Sequence, residues 1–196
     1  AGVAVDEIED PRPWCEIIRQ WSTFHPEFAF LPRKFKIAVC ASESDRAAIH
    51  NHDIGVELRR SDSGETGFRI LVGGGLGRTP AIGAVIADWL EPGHLLTYLE
   101  AILRVYNQLG RRDNKYKARI KILVKAMGAE AFRDRVEQEW AALRDGPSTL
   151  TDEAIETAKS FFTSPEYRDL PAAESDPALQ EKLAGNAGFS RWFEQN

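Results

Sequence analysis

The chain has 196 residues, of which 43% are hydrophobic and 28% are charged, and its formal net charge is −5. These proportions are typical of a globular protein with a buried core, and no apolar run is long enough to cross a bilayer. A net negative charge argues against general nucleic-acid binding, which depends on an excess of Lys and Arg. Because no segment resembles a signal peptide, we expect a cytoplasmic protein that binds neither nucleic acid nor membrane.

The first half of the chain predicts one helix and then strands. Apolar residues recur at helical spacing over residues 11–23, with prolines near the start. Residues 35–40 read as a strand, and residues 54–59 and 68–72 read as two more. Turn-forming residues fill the segment 61–67 between the last two strands. We therefore expect a hairpin there.

The second half predicts helices. Apolar residues at helical spacing cover residues 94–109, and Gly110 predicts the end of this helix. Gly128 separates a segment at 120–127 from a further amphipathic helix at 129–143. Strands followed by helices indicate an α+β domain with a mixed β-sheet covered by helices.

The character of the chain changes beyond residue 145. Residues 146–148 read as a linker, and residues 151–162 predict an amphipathic helix capped by Thr151. A second break follows at 171–177. We therefore divide the chain into a domain at 1–145 and a helical connector at 146–196. The start at Ala1 instead of Met is what we expect of a segment cut from a longer protein.

The cysteines limit the redox chemistry of this chain. Cys15 and Cys40 are the two cysteines, they lie far apart, and neither belongs to a C-x-x-C pair. A cubane iron–sulfur cluster needs four thiolates held by closely spaced motifs. This chain therefore cannot hold such a cluster alone, and we expect two free, buried thiols that act as small hydrophobic groups.

Two basic segments flank a glycine-rich turn. LPRKFK occupies residues 31–36, RRDNKYKARIK occupies 111–121, and LVGGGLGRTP lies between them at 71–80. Arg forks bind oxyanions bidentately, and glycines let a backbone approach a ligand closely. The turn is neither G-x-G-x-x-G opening a helix nor a phosphate loop ending in GK[ST]. The pattern therefore predicts a site for a small anion or a carboxylate-rich cofactor.

The second basic segment has an alternating pattern. Lys117, Arg119 and Lys121 alternate with apolar residues, so an extended segment would place all three cations on one face. That segment would end at a helix start, whose dipole favours an anion. A solvated surface face is the alternative.

A histidine pair invites a metal interpretation. His50 and His52 would lie on one side of a strand, but a lone pair of histidines lacks further close ligands. Hydrogen bonding is therefore the preferred hypothesis for both rings.

Four stretches together resemble a known family. LPRKFK runs into an apolar strand at 37–39, HNHDI occupies 50–54, GFRILVGGGLG occupies 67–77, and RRDNKYKARIK precedes a helix. Their order and spacing resemble the siroheme-containing nitrite and sulfite reductases, in the central part of the first of two internally repeated halves. The resemblance covers roughly residues 1–145 and implies the α+β siroheme-binding fold of that family.

The resemblance also implies a function. The parent protein would be an assimilatory reductase that converts sulfite to sulfide, or nitrite to ammonia. The resemblance implies that Arg33, Arg119 and Lys121 bind the substrate. The residues implied to lie near the siroheme are His50, Asp53, Gly73, Gly74, Gly75, Gly77, Arg78 and Lys117. A 4Fe-4S cluster would be bound by cysteines of the missing C-terminal half of the same polypeptide. Ferredoxin or a flavoprotein would supply electrons.

Some of these assignments have alternatives. Arg33 could be a plain surface cation, and Arg78 could belong to an ordinary hairpin exit. Arg119 stands where the sulfite enzymes are expected to have Lys, whereas Lys121 keeps their ammonium group, which favours sulfite. An additional upstream arginine of the family is missing. The isolated chain could also be a non-catalytic fragment that binds anions or a tetrapyrrole and needs the second half for activity.

Overall fold

The structure, a computed structural model, describes residues 1–163, 166 and 168–195. It divides into two units, Ala1–Ser164 and Pro165–Asn196. Residues 164, 165, 167 and 196 belong to the predicted connector and lie outside the described residues. Among the helices of the described part, none has the length and apolar character needed to cross a membrane.

The first unit contains a sheet and its covering helices. In chain order, its main elements are α1 (Arg12–Ser22), β1 (Ile37–Cys40), β2 (Ile54–Arg60), β3 (Thr66–Val72), β4 (Ala84–Leu90), α2 (Leu95–Leu109), α3 (Ile120–Met127), α4 (Ala129–Trp140) and α5 (Asp152–Ser160). The predicted helices and the first three strands are confirmed, with shifts of a few residues at their ends. Strand β4 was not predicted.

The four strands form one mixed sheet in the order β1-β2-β3-β4. Strand β1 runs parallel to β2, and the other two pairs are antiparallel. Ile54, Val56 and Leu58 on β2 are buried in the main core, together with nine of the fifteen residues of α2. The prediction of a mixed sheet covered by helices is therefore confirmed.

Strand β4 lacks a clean alternating pattern because its pairing with β3 is irregular. The register shifts twice between the paired residues Phe68, Ile70 and Leu71. As a result, the consecutive residues Asp88 and Trp89 are both exposed. A bulge adds a residue to one strand and breaks the period of two that identifies strands from sequence.

Helix α5 belongs to the first unit. The Thr151 hydroxyl accepts a hydrogen bond from the Ala154 amide at 3.2 Å, which confirms the predicted cap. The Lys159 ammonium lies 5.8 Å from the centre of the Trp14 ring on α1. The compact unit thus extends past residue 145, and the domain division at that residue stays a prediction.

The second unit is a small helical segment. It contains a short 3-10 helix at Ala173–Ser175, α6 (Pro177–Gly185) and α7 (Ala187–Gln195). The Asp176 carboxylate caps α6 by accepting from the amides of Ala178 and Leu179. None of the described residues of α6 and α7 is buried. The role of this second unit as a connector remains a prediction.

Candidate anion and cofactor site

Asp53 joins three segments at one end of the sheet. It precedes β2, and because β1 and β2 are parallel, the Ile54 amide donates to the Lys36 carbonyl at 3.1 Å. The Lys36 amide in turn donates to the Asp53 carboxylate at 3.0 Å. The Asp53 carbonyl accepts from the Gly73 amide at 2.9 Å. The first basic segment and the glycine turn are therefore held together through one residue.

The Asp53 side chain also binds Arg119 of the second basic segment. Its two oxygens accept from Arg119 Nε at 2.8 Å and Nη2 at 2.6 Å, which is a bidentate pair. Asp53 is 0% exposed, whereas the Arg119 side chain is 26% exposed. The guanidinium is thus fixed in orientation, while part of the Arg119 side chain remains exposed. The Asp53 carboxylate therefore joins the first basic segment, through the Lys36 amide, to the second, through Arg119.

The glycine turn packs backbone to backbone against residues 50–52. A Cβ on Gly74 would lie 2.3 Å from the His50 carbonyl oxygen and 2.5 Å from that of His52. Gly73 has φ +92° and lies against Val124 of α3. By contrast, a Cβ on Gly77 would meet nothing within 4 Å. Internal packing therefore explains Gly73 and Gly74, and open space adjoins Gly77.

Lys121 fastens the same turn from α3. Its ammonium donates to the carbonyls of Leu76 at 3.1 Å and Thr79 at 2.7 Å. The residue is 8% exposed, and its aliphatic stem lies against Gly75. A lysine ammonium has three N–H donors, so one remains after these two bonds.

The prediction that Lys117, Arg119 and Lys121 share one extended face is wrong. Lys115–Lys117 form a 3-10 helix because the Asn114 side chain caps it, accepting from the Tyr116 amide at 3.0 Å. Helix α3 then begins at Ile120, with Arg119 as its N-cap. Lys117 is consequently exposed, Arg119 half-buried and Lys121 buried. The expected helix start is confirmed.

Other cations of the two basic segments and the glycine turn differ in how their side chains are bonded. Within the described part of the chain, the side chains of Arg33, Lys36, Arg78 and Lys117 make no hydrogen bond or ion pair with another side chain or with the backbone. Arg112, by contrast, donates to two backbone carbonyls and one side-chain amide. The two basic segments therefore contain both structural cations and uncommitted ones.

A cavity of about 200 Å³ opens between these segments. Its lining residues are Lys36, Ala48, Asn51, His52, Asp53, Leu76 and Arg119. Leu76, which lines the cavity, is 70% exposed, and Ile82, which follows the bridge between Gly75 and Ala81, is 68% exposed. A larger cavity of about 540 Å³ between α1 and α5 has no cation in its lining. The smaller cavity combines positive charge with exposed apolar groups, and we therefore assign the site there.

The two histidine rings have separate environments. His52 Nδ1 lies 2.9 Å from the Ala48 carbonyl oxygen. His50 Nε2 lies 3.9 Å from a carboxylate oxygen of Asp45, and the His50 carbonyl accepts from the Gly83 amide at 2.8 Å. Hydrogen bonding is therefore confirmed for the His52 ring. The prediction is wrong for the His50 ring, which makes no hydrogen bond to the described residues, and His50 contacts the turn through its backbone carbonyl.

Sequence reasoning missed Tyr106, which joins the two basic segments. This fully buried residue of α2 donates from its hydroxyl to the Ala118 carbonyl at 2.7 Å, and the Arg33 carbonyl oxygen lies 3.3 Å away. Burial, and then the negative charge of Asp53, raise the pKa of Tyr106 to about 12. A buried tyrosine hydroxyl needs a hydrogen-bond partner, so a tyrosine among the apolar residues of the predicted α2 helix could have identified Tyr106 as a contact between segments.

The fold and site define an α+β domain that presents cations and apolar side chains around a glycine turn. Residues 1–143 match the family described as "Nitrite and sulphite reductase 4Fe-4S domain". The chain belongs to the nitrite and sulfite reductase family, as its sequence resemblance indicated.

Individual relatives agree with this assignment. "Sulfite reductase [ferredoxin] 1" of Mycolicibacterium paratuberculosis is 36% identical over 151 residues, which are 76% of this chain and 27% of the relative. The chloroplastic ferredoxin-nitrite reductase of Arabidopsis thaliana is 32% identical over 143 residues, 70% of this chain and 24% of the relative. The structure of the Mycobacterium tuberculosis NirA protein matches with a TM-score of 0.64 and 32% identity, covering 75% of this chain and 27% of that one. The chain therefore spans about a quarter of the length of these proteins.

Proposed function

We propose that this chain forms the cation-bearing side of the pocket in an assimilatory siroheme reductase, which reduces sulfite to sulfide or nitrite to ammonia. The observation that carries the proposal is the cavity between the two basic segments. Lys36 and Arg119 line it, and the uncommitted side chains of Arg33 and Lys117 belong to the segments that flank it. Sulfite and nitrite are small oxyanions, which guanidinium and ammonium groups bind well.

The residues around the cavity also suit siroheme, which is a flat iron tetrapyrrole rich in carboxylates. Exposed Leu76 and Ile82 offer apolar contact to a macrocycle. Arg78, Lys36 and Lys117 would hold its carboxylates, and the open side of Gly77 leaves room for close approach. When bound, siroheme supplies the multi-electron redox chemistry.

The protein groups would act on the substrate by charge and hydrogen bonding. Arg119 is oriented by its bidentate pair with Asp53, so its exposed portion needs little reorganisation to meet an oxyanion. Arg33 would add a second guanidinium. Lys121 holds the glycine turn through two carbonyls, and its third N–H is the donor left for a substrate or a bound water. Its ammonium group is also the feature that favours sulfite.

Electron delivery requires groups from outside this chain. The description of the matched family names a 4Fe-4S domain. Such a cluster needs four thiolates, of which Cys15 and Cys40 supply at most two. We propose that cysteines in a C-terminal half of the same polypeptide supply the cluster ligands. The names of the relatives favour ferredoxin as the electron donor over a flavoprotein.

A second candidate function follows from the same cysteine count. The chain by itself would be a non-catalytic domain that binds an anion or tetrapyrrole and becomes active with the second half. Adding siroheme to the purified chain, followed by reductant and sulfite or nitrite, tests both the pocket and the need for the second half. We expect a Soret band without sulfide or ammonia formation. The absence of any band would contradict the proposed pocket, and turnover would contradict our account of electron delivery.

A further inference from the structure

We propose that Tyr106 is a positioning residue that sets the spacing between the two basic segments. This inference rests on the proposed function, because the spacing matters when cations from both segments bind one ligand. Arg33 belongs to the first segment, and Ala118 directly precedes Arg119 in the second. The Tyr106 hydroxyl is the atom at which the backbones of both segments meet.

The hydroxyl has one proton and two acceptors. The distance of 2.7 Å identifies the Ala118 carbonyl as the principal acceptor, and the Arg33 carbonyl at 3.3 Å shares the proton weakly. Both Tyr106 and Ala118 are buried, so water does not readily replace this bond. Losing it would leave a buried carbonyl without its partner, and the backbone before α3 would have to move to recover one.

Other contacts dock the first segment on the same end of α2. A Cβ on Gly110 would lie 2.7 Å from the Pro32 ring, so the chain after α2 packs closely against that proline. Arg112 donates to the Phe30 carbonyl at 2.8 Å and to the Asn107 carbonyl at 2.8 Å. The end of α2 therefore locates the first segment, and Tyr106 ties the second segment to the same place.

Displacement of either backbone would move a cation relative to the ligand. Misplacing a binding group by about 1 Å can cost roughly 100-fold in function, and a shift shared between two segments should cost less. We therefore expect Tyr106→Phe to weaken oxyanion binding by about tenfold, although the substituted residue touches no ligand.

Tyr98→Phe is a matched control. Tyr98 also lies on α2 and is fully buried, and its hydroxyl donates to Glu137 at 2.7 Å, away from both basic segments. Both variants remove one buried hydroxyl and leave the aromatic ring in place. Loss of stability alone should therefore affect the two variants similarly, whereas loss of positioning should affect only Tyr106→Phe.

The experiment is a titration of the full chain with sulfite at constant ionic strength. Binding is followed by the NMR shifts of the Arg33 and Ala118 amides, and stability by thermal unfolding. We expect saturable shifts in the wild type and in Tyr98→Phe, and about tenfold weaker binding in Tyr106→Phe. Equal affinity in all three proteins would overturn the positioning role and leave the proposed site intact. No saturable binding by the wild type would overturn the proposed site and the positioning role with it.

A second variant covers the case in which Tyr106→Phe does not fold. Arg112→Lys keeps the charge at an exposed position but loses the fork that joins Phe30 to Asn107. If docking on α2 sets the spacing, this variant binds sulfite more weakly than the wild type. An unchanged affinity would count against the docking that the Tyr106 proposal requires.

Discussion

Replacing Asp53 with Asn tests the contact that joins the three segments of the site. The carboxylate accepts two hydrogen bonds from Arg119 and one from the Lys36 amide. Asn keeps the size of Asp but removes its charge and turns an N–H₂ group towards donors. Removing one partner of a buried ion pair costs about 3–5 kcal/mol. Because the Arg119 side chain is 26% exposed, water recovers part of this loss, and we expect about 2–4 kcal/mol.

Urea unfolding measures this free energy, and Asp88→Asn is the matched control. Asp88 is 87% exposed and lies 3.5 Å from Arg69, so its loss should cost no more than about 1 kcal/mol. An Asp53→Asn protein as stable as the Asp88→Asn protein would refute the structural role of the Asp53–Arg119 pair.

Three further predictions concern the glycine turn, Asp6 near the start of the chain, and α3. Gly74→Ala should destabilise the protein by more than about 2 kcal/mol because its Cβ would overlap two backbone carbonyls. The control, Gly64→Ala, lies at an open position with φ +86° and should cost about 1 kcal/mol. Equal melting temperatures for the two variants would contradict the close packing of Gly74. The Arg46 guanidinium and the Ser42 hydroxyl lower the pKa of Asp6 from its ordinary 3.8 to about 2. Since the folded pKa is the lower one, the stabilisation is present above pH 3.8 and is lost as the pH falls towards about 2; an NMR titration of the Asp6 carboxyl midway at 3.8 would exclude the contact. The Ala81 amide donates to the Gly75 carbonyl at 2.9 Å and so closes the turn that Lys121 holds. Lys121→Met keeps the apolar stem but loses both carbonyl bonds, so this amide should exchange with solvent about tenfold faster. Lys125→Met on the exposed side of α3 should leave that rate unchanged.

Local patterns predicted most of the fold. Helical spacing identified α1, α2 and α4, and turn residues identified the β2–β3 hairpin, because these signals depend only on neighbours in sequence. Strand β4 was not predicted because its irregular pairing with β3 breaks the alternation of buried and exposed residues. The alternating cations at residues 117–121 wrongly predicted an extended segment for a related reason. The pattern was short, and one capping side chain, Asn114, was enough to impose a turn.

The internal bonding of the site could not be predicted from such patterns. Asp53 and Arg119 are 66 residues apart, and nothing local in either segment identifies the other as its partner. The glycine turn was interpreted as an approach for a ligand, whereas Gly74 is required by the backbone of residues 50–52. The roles of the predicted substrate and cofactor residues stay predictions.

The most direct test of the proposed pocket is the affinity of the chain for siroheme after removal of its uncommitted cations. The comparison uses the wild type, a Lys36→Ala/Arg78→Ala double variant that removes two of the cations proposed to hold the siroheme carboxylates, and Lys125→Ala as the control, each titrated at low and high salt. We expect the double variant to bind at least about tenfold more weakly at low salt, with a difference that shrinks as salt screens the charges, and the control to match the wild type. Equal affinities for all three proteins at low salt would contradict the assignment of this site.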